Sequence, residues 1–106
     1  MRSMAIAITL AVTASLAAGM ARAQDVGAGQ RIAQTWCRNC HNVDDRQSRS
    51  SDAVPSFLSI AQMNSTTQTS LTVFLSSPHG KMPDFSLSRA EIRDVSAYIL
   101  SLRKTQ

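Results

Sequence analysis

Near the C-terminal end, apolar positions repeat with a helical period: Ile92, Val95, Ile99 and Leu102 fall at i, i+3, i+7 and i+10, with Tyr98 beside them. Ser88-Arg89-Ala90-Glu91 precedes them and reads as a capping box, hydroxyl and carboxylate each satisfying an otherwise orphaned amide. Arg103 and Lys104 then place positive charge at the negative end of the helix dipole. An earlier helix is expected from about Val26 to Trp36, capped by Asp25, with Gly29, Ile32, Ala33 and Trp36 along one side. A shorter one is expected near Thr67 to Ser76, where Leu71, Phe74 and Leu75 share a face and Pro78 and Gly80 end the run. Between the first two lies Asn42 to Asp52, polar and serine-rich, expected as a solvated loop, followed by the apolar run Phe57 to Ala61. No segment shows the alternation of a strand. The fold class is therefore all-α, three to four helices.

The first residues follow a different rule. Met1 to Met4 is short and basic, Ala5 to Ala18 is apolar, and Ala21-Arg22-Ala23 offers small residues at a cleavage site. This is the pattern of a secretory signal peptide, so residues 1–23 are expected to be removed and the chain to act outside the cytoplasm, in a periplasm. The rival, a retained anchor, is disfavoured because the stretch is short for a membrane span. The full chain has 11 Lys and Arg against 7 Asp and Glu. Arg2 and Arg22 leave with the leader, so residues 24–106 are only mildly basic. That balance gives no clustered stripe of the kind that binds nucleic acid. What remains is one domain of 83 residues, small enough that its core needs a supplement.

The supplement is written at Cys37-Arg38-Asn39-Cys40-His41, which holds the only two cysteines. Cys-x-x-Cys-His is the attachment pattern of c-type haem: two thiols at this spacing each form a thioether, and the adjacent histidine supplies the proximal iron ligand. A zinc site would want four ligands, and only His41 and His79 remain to complete one. A thioredoxin-like pair would want a βαβ setting, which this chain lacks. One covalently bound haem c with its iron is thus the expected cofactor, held by Cys37, Cys40 and His41.

A low-spin haem also takes a sixth ligand, and thioether sulfur raises the reduction potential. Met82 stands in a loop between two helices, within Pro78 to Pro83, and is the favoured distal ligand. Met63, beyond the apolar run, and His79, three residues before Met82, are its rivals.

Taken together, residues 25–104 resemble the class I monohaem c-type cytochromes, short bacterial type. The order of helix, Cys-x-x-Cys-His, polar loop, proline, middle helix, methionine loop and final helix is similar throughout. The resemblance implies a small cytochrome c fold around one haem, with N- and C-terminal helices crossing at Gly29 and Tyr98. It also implies that Pro55 supplies a carbonyl orienting His41. Two departures stand out: Ala33 occupies a position where the family often has an aromatic, and Met82 follows Cys37 by only 45 residues.

The function implied is one-electron transfer by Fe(III)/Fe(II) cycling with His/Met ligation and no catalysis. Its partners would be redox proteins, with neither nucleic acid nor stable membrane insertion after cleavage. Two alternatives remain: an electron-accepting subunit of a larger dehydrogenase or oxidase, and a gas-binding or peroxidatic haem protein with an open distal position.

Overall fold

The computed structural model describes residues 22–45, 54–77 and 80–105, the side chains of the last two excepted. Within them lie four α-helices and no strand: α1 (Val26–Ile32), α2 (Phe57–Gln62), α3 (Gln68–Ser76) and α4 (Arg89–Ser101). A π-helical turn, Ala33–Cys37, continues α1, and a 3-10 turn, Leu102–Thr105, continues α4.

Each helix starts where side-chain oxygen meets an orphan amide. The carboxylate of Asp25 accepts from the Ala28 amide at 2.8 Å, and Ser56 accepts from Ser59 at 3.1 Å. Thr67 with Ser70, and Ser88 with Glu91, form reciprocal capping boxes. The box at Ser88 is the one the sequence predicts. Helix α2 was anticipated only as an apolar run, because six residues show less than two turns of periodicity. Its signal was Ser56 following Pro55, an N-cap after a residue that fixes the chain's approach.

The core forms where α1 crosses α4. Val95, Tyr98, Ile99 and Leu102 are buried in one cluster with Ala33, Leu58, Phe57, Ala61 and Leu71, and Ile92 is buried as well. Burying each large aliphatic contributes roughly 1.5–3 kcal/mol. The helices meet closely because Gly29 has no side chain: a Cβ there would sit 2.0 Å from the Asp94 carbonyl oxygen and 2.9 Å from Tyr98 Cβ. The Asp94 carboxylate, itself buried, accepts the Asp25 amide at 3.0 Å and ties the start of α1 to the same crossing.

The structure departs from the sequence pattern in three places. The first helix does not run unbroken to Trp36. The Arg38 amide bonds the Ala33 carbonyl at 3.0 Å, five residues back, and this wider turn takes Trp36 out of line with Gly29 and Ala33. Trp36 is half exposed while Ala33 is wholly buried. Secondly, the polar loop is not solvated from its start: Val43 is buried, and its carbonyl accepts the Tyr98 hydroxyl at 2.6 Å. Thirdly, Arg103 serves another helix: its Nε donates to the Ala61 carbonyl at 2.6 Å and its Nη2 to that of Thr66 at 3.1 Å, supplying donors just where α2 ends.

Candidate functional site

The Cys-x-x-Cys-His motif leaves the π-helical turn as a tight bend. The amides of Cys40 and His41 both bond the Cys37 carbonyl, at 3.2 and 2.9 Å. Against this bend opens an apolar cleft with two adjoining lobes of about 360 and 470 Å³. Cys37, Cys40, His41, Pro55 and Met82 all border the outer lobe. The inner lobe is bounded by Phe57, Leu71, Leu75, Val95 and Ile99, residues from α2, α3 and α4.

His41 is oriented by what surrounds it. Its Nδ1 lies 2.6 Å from the Pro55 carbonyl oxygen. A carbonyl can only accept, so Nδ1 carries the proton and Nε2 keeps a free lone pair. Its ring stands 5.4 Å from that of Phe57, which in turn stands 6.5 Å from Tyr98. A column of rings thus runs from the histidine to the helix crossing, and the amide of Phe57 bonds the Asn42 carbonyl at 2.9 Å to brace it.

The two thiols are not joined to each other. Burial pushes the Cys37 thiol up to about 11, so it stays protonated at neutral pH and lacks the thiolate character of a redox nucleophile. Among the described residues no three His, Cys, Asp or Glu side chains gather as a metal site.

Met82 is half-buried and borders both lobes, as His41 does. Met63 borders the inner lobe alone and is half exposed. His79 lies outside the described residues. Phe74, Phe85, Trp36 and Lys81 complete the outer rim. Nothing in the sequence pattern assigns Phe57 or Phe85 to the site. Phe57 follows the anticipated proline by two residues, which was the available clue; Phe85 had none.

The space suits a large apolar plate. Its lobes fall in the size range of cofactor pockets. Two thiols, an imidazole with a free nitrogen and a thioether around one apolar cleft match haem in donor chemistry as well as shape.

The family model described as cytochrome c oxidase, cbb3-type, subunit III matches residues 24–99. The chain is also 44% identical over 98 residues to cytochrome c-552 of Bradyrhizobium diazoefficiens, covering 92% of each. The chain belongs to the monohaem c-type cytochromes. No solved structure matches it. As a c-type cytochrome it carries covalently bound haem c and its iron, and it is an electron-transfer protein that works with redox partners. Among the described residues, no helix of this cytochrome is long and apolar enough to cross a membrane.

Proposed function

We propose that this cytochrome is an exported, freely diffusing periplasmic electron carrier whose haem is linked through Cys37 and Cys40 and ligated by His41 and Met82. The iron, when bound, supplies the one-electron Fe(III)/Fe(II) couple. The chain's own residues set how that couple behaves. Pro55 holds Nδ1 of His41, which would leave Nε2 as the nitrogen offered to the iron. The soft sulfur of Met82 favours the ferrous state. Apolar walls from Phe57, Leu71, Val95 and Ile99 exclude water and limit reorganisation. If His41 and Met82 both ligate the iron, a bound haem would keep no open position for a substrate, and no catalytic role is proposed. Residues 1–23 would act as the leader, removed after Ala23.

One observation carries the reading: His41, its Nδ1 committed to Pro55, shares a single apolar cleft with Cys37, Cys40 and Met82. The decisive experiment is denaturing mass spectrometry with an absorption spectrum of the exported ferric protein. One haem mass on the polypeptide is expected, together with the weak far-red band of iron–sulfur ligation, lost in Met82→Ala. A band that survived Met82→Ala would transfer the ligand role elsewhere.

A second reading has its own support, since the matching family model describes an oxidase subunit. Against it, the cytochrome c-552 relative is covered over 92% of its length, a match to a small protein nearly end to end. Purification separates the two: a carrier elutes alone, a subunit with a larger enzyme.

A further inference from the structure

The segment bearing Met82 is held by unusual means. Gly80 and Ser86 flank it with left-handed backbone, φ 49° and 51°, and the Asp84 carboxylate accepts the Ser86 amide at 2.8 Å to form the turn between. Leu87 packs on the core and anchors the end next to α4. Between Met82 and Leu87 the large apolar side chain is Phe85, and it does not enter the core. Its ring meets Trp36 at a centroid distance of 5.8 Å, tilted by 40°. Trp36 is the residue before Cys37, rotated to the surface by the π-helical turn. Both rings border the outer lobe beside Met82, and they remain 49% and 37% exposed.

Neither ring belongs to the buried core cluster. The pair does span from the segment that holds the haem thioethers to the segment that holds the distal ligand. We propose that the Trp36–Phe85 pair is the latch that keeps the Met82 segment closed, and that its opening limits access of outside ligands to the iron. The proposal rests on Met82 being the distal ligand. Trp36 and Phe85 are then positioning residues: they act through the segment and touch no reacting atom.

An outside ligand binds only when Met82 has left, so its apparent affinity scales with the open fraction. Losing the ring pair should raise that fraction roughly 2- to 10-fold. The test is titration of the ferric holoprotein with imidazole, followed by absorbance, for wild type, Phe85→Leu, Trp36→Leu and the double variant. Each single variant should bind imidazole about 2- to 10-fold more tightly, and the double no more tightly than the stronger single. Amide exchange should quicken across Gly80 to Ser86 and stay unchanged in α4. Single variants that bind as wild type does, or a double equal to the product of the singles, would overturn the latch. If Trp36→Leu impairs haem attachment, Phe85→Leu with its exchange pattern decides alone. Met82→Ala separates the two claims. Tight imidazole binding there, with Phe85→Leu unchanged, removes the latch and keeps the ligand; wild-type binding there removes both.

Discussion

The crossing of α1 with α4 and the segment from Gly80 to Ser88 solve the same problem in opposite ways. At the crossing, backbone meets backbone at Gly29, against Asp94 and Tyr98 of α4, both buried. In the Met82 segment two left-handed residues, one carboxylate turn and one exposed ring pair shape the chain. The first arrangement has one packing and resists change. The second is shaped by local turns and by contacts at its edges, so on the proposed latch it is the segment that opens. With His41 and Met82 as the proposed ligands, a carrier would use both: a fixed half beside the proximal ligand, and a distal half whose closure excludes water and foreign ligands.

Forcing the crossing apart should have the largest effect. Gly29→Ala puts a methyl group 2.0 Å from a backbone oxygen, a clash that no side-chain rotation relieves. A loss of about 3 kcal/mol is expected, read as a fall of about 12–24 °C in the thermal midpoint of the holoprotein. A midpoint within 3 °C of wild type, on the same scale, would mean that the helices are not held so tightly.

Tyr98→Phe should come next. It leaves the buried Val43 carbonyl without its donor, at a cost of about 1–3 kcal/mol in denaturant unfolding. The same residue gives a pH test. Burial first, then the charges of Asp44 and Asp45, raise the Tyr98 pKa above the ordinary tyrosine value. Folding therefore favours the protonated phenol: that contribution is complete below about pH 10 and is lost as pH rises through the higher folded value. Stability of the wild type should fall on the alkaline side, and Tyr98→Phe should flatten that fall.

A smaller effect is expected where the flexible segment joins the rigid helix. Ser88→Ala removes one half of the capping box and should cost about 1 kcal/mol in unfolding free energy. Hydrogen bonds from the Ser88 backbone and with its side chain hold the Glu91 carboxyl below the usual range. Its contribution is present above the ordinary glutamate pKa and disappears as pH falls through the lowered folded value, so Glu91→Gln should remove a small acid-side slope.

The smallest change should run the other way. Ser86→Gly removes a side chain from a left-handed position and should stabilise the closed segment by about 0.5–1 kcal/mol. Slower amide exchange between Gly80 and Ser86, with α1 and α4 unaltered, is the outcome that fits; faster exchange there would place the strain elsewhere.

Much of the molecule was legible in the residues alone. Asp25 and Ser88 marked two helix starts, since a capping side chain acts within three residues of itself; the cap at Thr67 emerged only in the structure. The Ile92, Val95, Ile99, Leu102 period marked the buried face of α4, and Cys37, Cys40 and His41 stated the cofactor by chemistry that depends on spacing along one short segment. The helix missed, α2, was too short to show a period, and Trp36 was misplaced because a π-helical turn leaves no mark in a pattern read at 3.6 residues per turn.

Local order therefore came from the sequence by itself: which segments are helical, where they are capped, and that a haem is attached. Tertiary structure alone decided the pairings between distant segments. It brought Tyr98 to Val43, Arg103 to the end of α2, and Phe85 to Trp36, while the contact of His41 Nδ1 with the Pro55 carbonyl is the one the family resemblance already implied. The physical reason is range. Caps and periodicity act over one or two turns of chain, whereas a contact between residues dozens of positions apart exists only once the whole core has fixed where each side chain can reach.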